Sequence, residues 1–81
     1  MIDRVIRFQL TNLTDGPCTV SFEPRGDQAD LPKGEMFTVE VSGPGDGPLE
    51  ISYAPNGVII GEWDGAHTRL WNRRGETIQT R

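Results

Sequence analysis

Residues 35–42 read EMFTVEVS, and Phe37, Val39 and Val41 alternate with Thr38, Glu40 and Ser42. Apolar residues at every second position put one face of an extended chain into a core and leave the other in water. The same period of two recurs outward in both directions. In residues 4–12, Ile6, Phe8 and Leu10 alternate with Arg7, Gln9 and Thr11; in 17–23, Cys18, Val20 and Phe22 alternate with Thr19, Ser21 and Glu23. In 48–54, Leu49, Ile51 and Tyr53 alternate with Glu50 and Ser52. No interval carries a clean 3.6-residue apolar pattern.

Ten Gly and six Pro punctuate the 81 residues. Asp15-Gly16-Pro17, Pro32-Lys33-Gly34, the run 43–48 (GPGDGP), Pro55-Asn56-Gly57, Asp64-Gly65 and Arg74-Gly75 are turn signals. Asn56-Gly57 predicts a type I′ hairpin turn, since both residues tolerate positive φ. That turn leads into 58–63, Asp64-Gly65 returns the chain into 67–73, and Arg74-Gly75 into 76–80. The C-terminal half therefore reads as a four-stranded meander. Segment 24–34 is the longest connection and is expected to cross between sheets. Seven short strands in one domain, residues 1–81, predict an all-β antiparallel sandwich; a small barrel is the alternative.

The runs LTNLTDGPCTVSFEP (residues 10–24) and LPKGEMFTVEVSGP (residues 31–44) are similar to the opening of many small bacterial immunoglobulin-like or cupredoxin-like sandwiches. The shared features are Asn12 ending a strand, the polar turn Thr14-Asp15-Gly16, a strand closing on Glu23-Pro24, and Leu31-Pro32 to Gly34-Glu35 opening the next. The resemblance implies a sandwich fold and no activity. The copper ligands of cupredoxins are absent, so no residue carries over as a ligand.

Composition narrows the function classes. The hydrophobic share is 35% and the net charge is −4. An acidic balance argues against binding nucleic acid through overall charge. The charge is uneven: residues 1–7 and 67–81 hold six Arg against Asp3 and Glu76, while 8–66 hold ten acids against Arg25 and Lys33. If the terminal strands lie together, one edge of the domain is basic. The single cysteine, Cys18, cannot form an intramolecular disulfide, and its place on an apolar strand face reads as an inert buried thiol. MIDRVIRFQL has charges where a signal peptide needs an apolar run, and no stretch is long enough to span a bilayer, so the expectation is a cytoplasmic protein.

Arg25-Gly26-Asp27 is the tripeptide that adhesion receptors read on exposed loops, but Pro24 and Gly26 also suit an ordinary turn. Asn12-Leu13-Thr14 fits the glycosylation pattern and equally fits a strand-ending turn. Cys18, His67 and the two Met are scattered without ligand spacing, so no metal or other cofactor is expected. His67 with Asp64 could form a base and its orienter, yet no nucleophile is placed beside them. GPGDGP lacks the Lys-Ser/Thr of a phosphate loop and reads as a flexible turn. The chain is not expected to be an enzyme.

The constellation that carries most is EWDGAHTRLWNRR, residues 62–74. Alternation places His67, Arg69, Trp71 and Arg73 on one face, opposite Thr68, Leu70 and Asn72. With Leu70 inward, Trp71 becomes a partly exposed aromatic in a basic strip, a composition enriched at binding hot spots. If Trp71 is instead core, the Arg stems would lie along it with their heads in water. Trp63 alternates with Ile59 and reads as core. The expected function is a protein-interaction module centred on Trp71, Arg69 and Arg73 with His67 at its rim. A carbohydrate-binding module, with Trp71 stacked on a sugar, is one alternative. A self-associating building block, such as a phage component, is the other.

Overall fold

A computed structural model describes residues 3–81. The strands are β1 (Arg4–Thr11), β2 (Cys18–Glu23), β3 (Asp27–Leu31), β4 (Met36–Gly43), β5 (Glu50–Ala54), β6 (Gly57–Gly61) and β7 (His67–Asn72). They form two sheets, ordered β1-β4-β7 and β3-β2-β6-β5. The alternating residues fill the space between them. Phe37, Val39, Val41 and Leu70 of the three-stranded sheet meet Val20, Phe22, Ala29, Leu31 and Ile60 of the four-stranded sheet in one buried cluster. The all-β sandwich that the period-two pattern predicts is the observed architecture.

Two features of the expected topology are corrected. Segment 24–34 is not a crossover loop, because Asp27–Leu31 forms β3 and pairs antiparallel with β2, Val20 opposite Ala29. The alternation was present in Asp-Gln-Ala-Asp-Leu, with Ala29 and Leu31 buried, but its two Asp are residues that strands usually lack. The C-terminal meander also gives way. β5 and β6 form its hairpin, but β6 pairs parallel with β2 and the chain then crosses to the other sheet, where β7 pairs with β4. The crossing buries Trp63 between the sheets, as expected, but not through its alternation with Ile59: Ile60 faces the core, Ile59 faces outward, and Trp63 turns inward because the chain leaves the sheet after Gly61. Residues 76–80 form no full strand; they contribute a bridge from Thr77 to Trp71 and an Ile78 N–H to Leu70 carbonyl bond. Beyond it, Gln28 and Arg81 exchange both backbone hydrogen bonds, so the tail spans from β7 to β3 and closes that side of the sandwich.

The Asn56-Gly57 turn differs as well. Among the described residues none other than glycine has a positive φ, and Gly57 is not among the glycines that do. The two turn residues are Pro55 and Asn56, and proline holds φ negative, which excludes type I′. Gly57 is needed for another reason: a Cβ there would overlap the Thr19 carbonyl oxygen of the neighbouring parallel strand.

The two ends of the sandwich are fastened by polar groups. At one end Asn12 is buried, and its amide nitrogen donates to the carbonyls of Gly16 (2.8 Å) and Leu31 (3.0 Å). Its Oδ1 accepts from the Thr14 backbone N–H (2.9 Å) and hydroxyl (2.6 Å). At the other end Glu62 accepts two bonds from Arg25, each 3.0 Å, and one from the Thr68 hydroxyl. Beside it, Arg4 stacks on Trp63 at 3.8 Å and donates to the Gly47 carbonyl. Trp63 Nε1 donates to the Pro44 carbonyl at 3.0 Å, and a Cβ on Gly45 or Gly47 would come within 3.1 Å of the Trp63 side chain. The run 43–48 is therefore a fitted cover over an indole rather than a flexible turn.

Removing the Asn12 amide leaves a backbone N–H and two carbonyls without their partner. Asn12→Ala should destabilise the fold by about 2–4 kcal/mol. Urea unfolding should report it as a lower midpoint with an unchanged slope.

Candidate functional site

The outer face of the β1-β4-β7 sheet is set by the burial of Leu70. With Leu70 packed inward opposite Val39, its neighbours Arg69 and Trp71 turn outward. Register then defines cross-strand rows. Glu40 of β4 lies between Arg7 of β1 and Arg69 of β7; the next row is Gln9, Thr38 and Trp71; the row on the other side is Val5, Ser42 and His67. Arg7 binds the Glu40 carboxylate at 2.5 Å, and its guanidinium lies 5.7 Å from the centre of the Trp71 ring, within cation–π range. Trp71 is half-buried. Arg69 has no ion-pair partner among the described residues, since Glu40 is taken by Arg7.

Of the residues that the sequence nominates, His67, Arg69 and Trp71 share this face. Arg73 lies past the end of β7, where its guanidinium reaches the Gly34 carbonyl at 3.2 Å and so leaves the strip. His67 is exposed at the rim opposite Ser42. The structure adds Arg7 and Glu40, which the sequence does not connect with Trp71. Alternation does turn Arg7 outward, but only the β1–β4 register brings it to Glu40, 33 positions away. The terminal strands do share a sheet, flanking β4 rather than touching.

The other motifs resolve into structural roles. Arg25 is held by Glu62 and lies 3.3 Å from Asp27, whose carboxylate also accepts from Thr80 at 3.4 Å. Both charges of the Arg-Gly-Asp turn are thus engaged within the protein. The Glu62 side chain is only 2% exposed. The Asn12 amide nitrogen, spent on two carbonyls, is not presented as a glycan acceptor. Cys18 is half-buried rather than fully enclosed, and burial pushes its thiol up from the ordinary range. At the end of β7, Asn72 and Arg74 hold the exposed Glu76 carboxylate, whose pKa is lowered first by the Asn72 hydrogen bond and then by the Arg74 charge. Among the described residues no group of three His, Cys, Asp or Glu could hold a metal ion, and no helix is long and apolar enough to cross a membrane.

Comparison with family models, with curated proteins and with solved structures gives no match to this chain. The outer face has to be read from its own chemistry: an aromatic ring backed by one paired arginine and flanked by one unpaired arginine.

Two measurements check this geometry. Iodide should quench Trp71 and spare Trp63, so Trp71→Phe should leave one protected fluorophore. Glu62→Ala should cost about 2–3 kcal/mol by stranding Arg25 and Thr68, whereas Arg7→Ala at the exposed pair should cost less than about 1 kcal/mol.

Proposed function

We propose that this protein is a non-enzymatic interaction module that contacts a protein partner through the outer face of β1, β4 and β7. The observation that carries the reading is the placement of a half-exposed Trp71 in the row next to Arg7, Glu40 and Arg69, on a sheet face otherwise without charged residues apart from His67 at its rim. Trp and Arg recur at binding hot spots because each combines a large contact area with directional polar groups. Here the Arg7–Glu40 pair fixes one guanidinium beside the indole, which lowers the ordering needed on binding. Arg69, without a partner of its own, favours a carboxylate on the other protein, and Trp71 favours an apolar depression beside it. Glu40 within the strip, together with the net charge of −4, weighs against a phosphate backbone as the partner.

Capture from native cell extract on the immobilised wild-type chain, compared with Trp71→Ala and Arg69→Glu, tests the proposal. A specific protein partner should be lost by at least tenfold on both variants, while their urea midpoints stay within about 0.5 kcal/mol of wild type. Retention of every captured protein by both variants would refute the reading. Quenching of Trp71 by simple sugars would move the face to the carbohydrate-binding class.

A further inference from the structure

The sandwich is lopsided. One sheet has four strands and the other three, and the tail from Thr77 to Arg81 closes the β7/β3 side. On the opposite side β5 has no strand of the other sheet above it. Ile51 and Tyr53 pair with Ile60 and Val58, so their side chains belong to the core face of the sheet. Yet Ile51 is 47% exposed and Tyr53 90% exposed. Leu13, just past the end of β1, is 87% exposed. A cavity of about 360 Å³ runs between the two edges, lined by Leu10, Leu13, Cys18, Tyr53 and Val58. The vacancy is one strand wide, beside the unpaired edge of β1 and over the bare face of β5.

We infer that a second copy of this chain fills the vacancy, with β5 of each copy lying over β5 of the other and beside its β1. Each copy holds both halves of the fit, an overhanging strand and the gap that such a strand fills, so one twofold axis along the strands satisfies both at once. Ile51 and Tyr53 then pack against their own symmetry mates. Charge agrees with this placement. The tail runs antiparallel to both β7 and β3, and the pairings from there make β1 and β5 run the same way. Leu10 and Tyr53 line one cavity, which sets Glu50 near the level of Arg7, each on the outer face of its own sheet. In the pair, Glu50 of one copy adjoins Arg7 of the other. With about 200 Å² per large side chain, the exposed parts of Leu13, Ile51 and Tyr53 come to roughly 400–450 Å² per copy. Doubled, that is roughly 800–900 Å², short of the about 1,000 Å² that a stable interface clears, so the dimer is weak and concentration-dependent.

Sedimentation of the full chain from micromolar to several hundred micromolar tests this. The expected result is a monomer–dimer equilibrium without larger species, because a closed twofold uses both vacancies. Tyr53→Glu and Ile51→Lys should each weaken association at least tenfold while the far-UV spectrum and urea midpoint hold. Trp71→Ala should leave association unchanged, which separates this surface from the Trp71 face. A monomer throughout, open-ended polymers, or association indifferent to both Tyr53→Glu and Ile51→Lys would overturn the inference.

Discussion

Asn12 is the point at which the two sheets become one structure. It ends β1 in one sheet, and its side chain reaches the Leu31 carbonyl at the end of β3 in the other. Its backbone carbonyl accepts from the Gly34 N–H and its own N–H donates to Glu35, so the β3–β4 turn is tied to the same residue. All of its amide hydrogens and both lone pairs of Oδ1 are used, a requirement for a polar group with so little access to water. The opposite end is closed by the Glu62 carboxylate and by Arg4 on Trp63. Between these two ends the apolar cluster packs without polar interruption. The division of labour follows from size: a core this small supplies burial, and the ends supply the register that burial alone would leave loose.

Once the ends are fixed, the outer faces are free to differ. The β1-β4-β7 face carries Arg7, Glu40, Arg69 and Trp71. The other sheet presents Thr19, Ser21, Ile59 and Ser52 with Gly57 and Gly61, an uncharged centre rimmed by Glu23, Glu50 and the Asp30–Arg81 pair. The uneven charge along the sequence thus becomes an uneven charge across the sandwich. The terminal strands supply Arg7 and Arg69 to one sheet, and the middle supplies Glu23, Asp30 and Glu50 around the other.

How much of this was legible in the sequence depended on the range of the interaction involved. Alternation within six to eight residues located β1, β2, β4 and β7 to within a residue or two, and it set the inward face of each correctly. It failed at β3, where Asp27 and Asp30 and a turn-like Pro-Arg-Gly masked a short strand. It failed again after β6, because adjacent strands joined by a tight turn normally pair, and nothing local announces that burying Trp63 sends the chain to the other sheet. The strip around Trp71 was legible on its own strand and invisible across strands. Arg7 and Glu40 belong to it only through a register that no short window contains, and Arg73 left it through a contact with Gly34 that lies in a different turn.

The order in which the strands alternate between sheets has a consequence for how the chain reaches this state. Only β2–β3 and β5–β6 join neighbours in sequence; β1–β4, β4–β7 and the parallel β2–β6 pairing all close long loops. β4 is the central strand of its sheet, and one of its two partners, β7, is the last of the seven in chain order. Non-local pairings of this kind must meet the entropy of loop closure before any contact rewards them, which slows folding relative to helical chains of equal length. Neither half of the chain contains a complete sheet, so neither can fold first and template the other. The domain must assemble in a single late step, and until β7 emerges the alternating apolar strands stay open to whatever in the cell recognises nascent β-structure.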